Sequence, residues 1–320
     1  MDGWFWRITD PVQRRVAIAL VGLNTPRDGS PWGILGLAQS PDCLLRTAMV
    51  PEISAASRGM RLQASGSEGS FTAHRHDIDV RVGDLHLEAR LDDLVDWQGR
   101  LGASSIFQTV PGLNQYWHPW LLGGAATGRL TGPDGVWEFT DAQLYAEKNW
   151  GRGGFPEHWW WGQAQGFEER EACAAFAGGQ IHLGRPGRDT RLRTDVTALA
   201  VKLPDGRQVR LGNPGTSPVE ARVEDGHWLV RGRSRHWNVQ IEGVAPIAST
   251  FVLPIPLVEE RRLAPGALEA QAGEMQVTVH HDGRLVWQGN STLAALERGG
   301  RRQAEDELAR RGGRPEPHPA

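Results

Sequence analysis

Asp77-Ile-Asp-Val-Arg-Val-Gly-Asp-Leu-His-Leu-Glu-Ala-Arg-Leu91 reads as two strands and the turn between them. Ile78, Val80 and Val82 alternate with polar residues, Gly83-Asp84 breaks the run, and Leu85, Leu87, Ala89 and Leu91 resume the alternation. A period of two puts all the apolar side chains on one face, so the segment is expected to be a hairpin with one buried side. The same signal recurs along the chain. Asp-Gly pairs at Asp134-Gly135, Asp205-Gly206, Asp225-Gly226 and Asp282-Gly283 each separate alternating runs, for example Met275, Val277 and Val279 from Leu285 and Trp287. Serial hairpins imply antiparallel meanders, and meanders hide their edges most completely by closing into barrels, which can enclose a ligand.

Composition agrees. The 320 residues include 14 Trp against 2 Tyr, with 40 Gly and 20 Pro, a usage suited to many short strands and turns. That length allows two modest domains or one large β domain. No strict internal repeat is visible. The Gly151-Arg152-Gly153-Gly154 run is the expected flexible junction, giving an N-terminal barrel over 1–150, a second over 151–300 and a tail over 301–320. Ser291–Leu296 and Arg301–Arg311 are each expected to form a short helix, and Gly312–Ala320, rich in Pro and Gly, to be disordered.

The net charge of −3, with Arg interleaved among Asp and Glu, argues against a nucleic-acid partner, which asks for a basic stripe. Cys43 and Cys173 are far apart and suggest neither a zinc knuckle nor a disulfide framework. With no spanning segment and no signal-like N-terminus, the expectation is a cytoplasmic protein with at most peripheral membrane contact. The run Phe251-Val-Leu-Pro-Ile-Pro-Leu257 reads either as a strand with edge prolines or as an apolar entrance. Oligomeric state is not legible.

Common catalytic signatures are missing: there is no Gly-x-Ser-x-Gly elbow, no His-Glu-x-x-His and no phosphate loop. His74, His76 and Asp77 have the spacing of a weak metal site, for which a polar hairpin edge is the better account. His280-His281 points to opposite faces of a strand. The chemically dense stretch is Tyr145-Ala-Glu-Lys-Asn-Trp-Gly-Arg-Gly-Gly-Phe-Pro-Glu-His-Trp-Trp-Trp-Gly-Gln163. Its indoles offer an apolar wall whose faces attract cations. Asp141, Glu147 and His118 flank the aromatic segments, and a carboxyl desolvated by indoles tends to keep a proton to donate. The plainer reading makes Asp141 and Glu147 strand-end residues paired with Arg152 or Lys148.

That stretch resembles the signature of the tocopherol cyclases: Glu-Lys-Asn-Trp-Gly, a glycine-rich step, Phe-Pro, then an aromatic run closing on Gln. Glu147, Lys148, Asn149, Trp150, Gly151, Phe155, Pro156, Trp159, Trp161 and Gln163 match it. Glu138-Phe139, Asp141-Ala142, Trp117, Gly123-Gly124 and Thr127-Gly128 resemble the family's approach to the signature, Gly3-Trp4-Phe5-Trp6-Arg7 and Gly33-Ile34-Leu35-Gly36 its opening, and Ser291, Ala294-Ala295 and Gly299-Gly300 its close. Gln143 stands where the family often has proline, and Ala164-Gln165 where it has Cys-Asn; the family's histidine often precedes the matched Trp117, where this chain has His118 after it.

The resemblance implies two tandem lipocalin-like antiparallel β-barrels and a cofactor-independent reaction on a hydrophobic substrate. The phenol of a prenylated hydroquinone adds across a trisubstituted alkene to close a chromanol ring. On this reading Asp141 or Glu147 donates the proton and Lys148 is a third candidate catalytic residue or the neutralising partner of Glu147. Trp117, His118, Tyr145, Asn149, Trp150, Trp159, Trp161 and Gln163 are the candidate substrate-binding residues, with Trp160 facing away. The alternatives are a lipocalin-like carrier of an isoprenoid, quinone or pigment, or a hydratase in which water captures the cation.

Overall fold

The computed structural model describes residues 1–56, 60–99, 101–183 and 192–313. It divides into two compact units, Met1–Gly102 with Trp117–Trp150, and Ala103–Tyr116 with Gly151–Ala320. Among the described residues no helix is long and apolar enough to cross a membrane.

The first sheet contains β1 (Asp2–Asp10), β2 (Arg15–Asn24), β3 (Trp32–Ser40), β4 (Leu44–Val50), β5 (Glu52–Ala56), β6 (Arg61–Gly66), β7 (Gly69–His74), β8 (Asp77–Val82), β9 (Leu85–Asp92), β10 (Tyr116–Leu121), β11 (Ala125–Gly132) and β12 (Gly135–Trp150). Its order, β4-β3-β2-β1-β12-β11-β9-β8-β7-β6-β5, ends on two strands joined only through Pro51, and β4 packs on β6, so the sheet curls into a nearly closed antiparallel barrel. The 77–91 hairpin forms as its alternation predicts, with Val82 facing Leu85 and the buried residues in strict alternation along β8. Trp6, Ile8, Val80, Leu87 and Phe71 are among its buried apolar contents.

The second sheet contains β13 (Trp159–Ala164), β14 (Cys173–Leu183), β15 (Leu192–Lys202), β16 (Gln208–Leu211), β17 (Val219–Glu224), β18 (His227–Arg233), β19 (Trp237–Val244), β20 (Phe251–Leu257), β21 (Arg262–His281) and β22 (Arg284–Gly299). It runs β16-β15-β14-β13-β22-β21-β19-β18-β17, curls until β15 packs on β17, and carries β20 as a side branch on β21. Three of the four Asp-Gly pairs lie wholly in turns between paired strands, and in the fourth Asp134 is in the turn while Gly135 opens β12 opposite Gly132. The one α-helix among the described residues, α1 (Arg301–Arg310), follows. Ser291–Leu296 is strand rather than helix, because β22 continues through it, paired with β21 across two register shifts and joined by β13 from Ala295 onward. Leu285 is 56% exposed, since the pairing of β21 and β22 slips between Val279 and His280 and breaks the alternation there. Of the expected disordered tail, residues 314–320 lie outside the described residues.

A bulge in β12 determines which side chains meet. Trp137 and Phe139 point into the barrel, and then Ala142, Leu144 and Ala146 do, so the inward parity changes from odd to even. The change occurs where Thr140 and Asp141 oppose the single residue Thr127, between the Gly128–Phe139 and Ala126–Ala142 pairs. Asp141 takes the left-handed conformation there (φ 58°), and Thr127 Oγ1 accepts a bond from its N–H at 3.3 Å. Beyond the bulge, Gln143, Tyr145 and Glu147 turn their backs on the barrel core and are nonetheless buried. The glycines of the Gly151–Gly154 run answer to different local demands. A Cβ on Gly151 would lie 1.8 Å from the Asn114 carbonyl oxygen, while Gly153 and Gly154 occupy the left-handed region at φ 93° and 88°.

Candidate active site

Glu147 is 5% exposed and accepts two hydrogen bonds on one oxygen: Trp117 Nε1 donates to Oε2 at 2.7 Å and the Tyr145 hydroxyl donates to the same atom at 2.6 Å. Tyr145 reaches it because residues two apart on a strand share a face, and Trp117 because β10 pairs with β12. Oε2 is thus held as a double acceptor by two side chains of the same buried face. Asn149 lies on the same face, and its Oδ1 is a buried acceptor with no hydrogen-bond partner among the described residues. Gly3, opposite Asn149 in register, makes room for it, since a Cβ there would sit 2.3 Å from Oδ1. Trp117, Tyr145, Glu147 and Asn149 are thus brought together.

Lys148 is separated from its neighbour Glu147 by strand alternation. Its ammonium pairs with Asp2 at 2.8 Å and lies over the indoles of Trp4 and Trp150, 4.5 and 5.5 Å from their centroids. Lys148 and Trp150 therefore form a clamp with the β1 end rather than part of the Glu147 group, and Lys148 does not neutralise Glu147. A half-buried cation between two indoles contributes about 1–2 kcal/mol. Lys148→Met is expected to lower the unfolding free energy by about that much while leaving turnover per folded molecule intact, read from denaturant melts beside rate assays. Asp141 is exposed at its bulge, so the desolvation by indoles that would fit it as an acid does not reach it. His118 faces away from Trp117, edge-on to Trp97 at 5.7 Å, and burial pushes its pKa down to about 4, which leaves it neutral at neutral pH.

In the second unit, Trp159, Trp161 and Gln163 share the face of β13 turned away from the core, while Trp160 packs on the core side and donates to Thr197 Oγ1 at 3.2 Å. Trp159 Nε1 donates to Glu297 Oε1, Trp228 Nε1 to the Glu297 carbonyl at 3.1 Å, and Gln163 Nε2 to Cys173 Sγ at 3.6 Å. Glu297 was not singled out in the sequence, yet it is the counterpart of Glu147. Phe5 pairs with Glu147 and Trp4 with Lys148; Trp161 pairs with Glu297 and Trp160 with Arg298. At these pairs the two sheets share a local register. The only trace in sequence is the match of Ala146-Glu147-Lys148 to Leu296-Glu297-Arg298, too short to read as a repeat. Gly299 is required beside it, since a Cβ there would lie 1.9 Å from the Trp159 ring.

The metal reading of His74, His76 and Asp77 is not supported by geometry, since His76 Nδ1 contacts the Leu91 carbonyl at 3.0 Å. Among the described residues, the ligand types that converge are Asp79, His86 and Glu88, where Arg129 already holds Glu88 at 2.6 Å.

Residues 98–300 match the family described as tocopherol cyclase-like. A probable chloroplastic tocopherol cyclase of Oryza sativa subsp. japonica is 28% identical over 203 residues, 59% of this chain and 40% of that protein. The chloroplastic tocopherol cyclase of Zea mays is 26% identical over 210 residues, 63% of this chain and 42% of that protein. The matches therefore span about two fifths of these relatives' length. The fold is shared with kievitone hydratase from Nectria haematococca (TM-score 0.53, 11% identity, 93% of this chain and 88% of that one) and with CghA (TM-score 0.57, 11% identity, 94% and 87%). With well over half its length matched, from Gln98 through the signature to Gly300, this chain belongs to the tocopherol cyclase-like family.

Proposed function

We propose that the chain closes a chromanol ring on a prenylated hydroquinone, with Glu147 as the acid. The observation that carries this reading is a buried carboxyl, Glu147, positioned by Trp117 and Tyr145, which both donate to Oε2. The protonated Glu147 carboxyl delivers its proton to the less substituted alkene carbon, leaving a tertiary cation on the other. The phenol oxygen attacks that carbon, and the phenolic proton passes to the Glu147 carboxylate, so the acid is restored and the net change is an isomerisation. The Trp117 indole N–H and the Tyr145 hydroxyl hold the carboxyl, and the unpartnered Asn149 Oδ1 accepts a quinol hydroxyl. Family membership supports the reaction class. Trp159, Trp161 and Gln163 are proposed as a separate apolar binding face within the second unit, and the prenyl chain of the substrate must be folded so that oxygen and carbon approach before protonation.

The test is incubation with a reduced phytyl or geranylgeranyl benzoquinol in heavy water, followed by mass spectrometry. A chromanol carrying one carbon-bound deuterium is expected. A tertiary alcohol product would replace the reading with a hydratase, and tight binding without product would replace it with a carrier.

A further inference from the structure

We propose that β20 (Phe251–Leu257) is a flap over the Trp159–Glu297 pair, held shut by the C-terminal helix through Arg311. The flap is weakly tied to the sheet and firmly tied to the helix. β20 pairs with β21 alone, as a branch off the main strand order. At its centre Pro254 faces Pro265, Pro256 follows, and the register slips between Leu253 and Pro254. Proline brings no N–H to a ladder, so this stretch is short of the donors that hold an ordinary strand pair.

Its apolar contacts form a separate small cluster. Leu253 and Ile255 pack with Phe155, Trp159 and Ala267, apart from the barrel core. Gly266 lets the flap lie close, because a Cβ there would be 2.3 Å from Ile255 Cγ2. The Phe155 and Trp159 rings are 4.9 Å apart, and Trp159 is the residue whose N–H reaches Glu297. Lifting β20 therefore strips the cover from an indole–carboxylate pair, giving an apolar molecule a route to it.

The latch is Arg311. Its Nη1 donates to the Thr250 carbonyl at 2.6 Å, and its Nη2 donates to the Ile247 carbonyl at 3.0 Å and to Thr250 Oγ1 at 3.1 Å, gripping the segment that leads into β20. Its Nε donates to Glu307 Oε1 at 2.6 Å, which fixes the guanidinium on α1. The helix is itself seated on β21, where the Gly300 N–H donates to the Gly266 carbonyl at 2.8 Å. Arg310 binds the same Glu307 carboxylate, at 2.6 and 2.7 Å, and so provides a control that alters the helix end while Arg311 keeps its hold on the flap.

Hydrogen exchange read by mass spectrometry on the full chain tests the latch. In Arg311→Ala, amides of residues 251–257 are expected to exchange at least about tenfold faster, as loss of charged hydrogen bonds on a locally opening segment implies. Those of β14 and β22 should keep their rates, and Arg310→Ala should leave the flap protected. Unchanged exchange over 251–257 in Arg311→Ala would overturn the proposal. Equal acceleration in Arg310→Ala would overturn it, as would uniform acceleration across β14, β21 and β22, since then Arg311 supports the whole unit rather than the flap.

Discussion

Glu147→Gln is expected to lower kcat by roughly 10²–10⁴-fold, the range lost when a positioned general acid is removed, while binding of the prenylated quinol is retained. The amide is nearly isosteric, and its oxygen can still accept from the Trp117 indole and the Tyr145 hydroxyl, which lie 2.7 and 2.6 Å from Oε2. What it lacks is a proton acidic enough to give to an alkene. Single-turnover rates and equilibrium binding measured on one preparation separate the two effects. Loss of binding together with rate would make Glu147 a substrate anchor, and an unimpaired rate would remove it from the chemistry. Asp141→Asn serves as the contrast. Asp141 lies exposed at a bulge, so its amide should cost little in rate, although both carboxyls flank the same aromatic signature in sequence.

Gly151→Ala is expected to cost about 1–3 kcal/mol or more in stability, the range for forcing atoms into a packed site, and to show as a clear fall in melting temperature. The new methyl would stand 1.8 Å from the Asn114 carbonyl oxygen and 2.9 Å from Gln115 Cα, all backbone atoms with no rotamer to yield. Asn114 is itself fixed: its side chain donates to the Gln180 carbonyl at 3.0 Å and accepts from the His182 N–H at 2.9 Å, so the 103–116 segment cannot drift aside cheaply. Gly153→Ala is the useful comparison, because no atom lies within 4 Å of its added Cβ and the cost is limited to a left-handed backbone at φ 93°, about 1–2 kcal/mol. If the two alanines cost the same, the close approach at Gly151 is not what that glycine serves.

The clamp around Lys148 and the pair around Glu147 show how adjacent residues of one motif acquire different tasks. Alternation alone separates them: Lys148 turns to Asp2, Trp4 and Trp150, while Glu147 turns to Trp117 and Tyr145. A motif read as one chemical unit is thus two half-motifs on two faces of a strand. The opening Gly3-Trp4-Phe5-Trp6-Arg7 belongs to the same arrangement, since β1 pairs with β12 and sets Gly3 opposite Asn149, Trp4 opposite Lys148 and Phe5 opposite Glu147. Ends of the first unit's sequence that look unrelated are cross-strand neighbours.

The sequence by itself determined the local structure: the alternation and turn of Asp77–Leu91, the four Asp-Gly turns, the all-β class and the family signature, because each depends on residues within a few positions of one another. The tertiary structure decided which of the signature's side chains meet. The bulge at Thr140–Asp141 shifts the parity of β12 by one residue; carried on from Trp137 and Phe139, the alternation would have sent Tyr145 and Glu147 into the apolar core. Ser291–Leu296 became strand instead of helix because β21 pairs with it at Ser291, Ala294 and Leu296 and β13 adds partners at Ala295 and Leu296, which local propensity cannot register. Glu297 and its Trp159 donor, 138 residues apart, became a counterpart of the Glu147 pair through strand register, a relation fixed by pairing across the sheet.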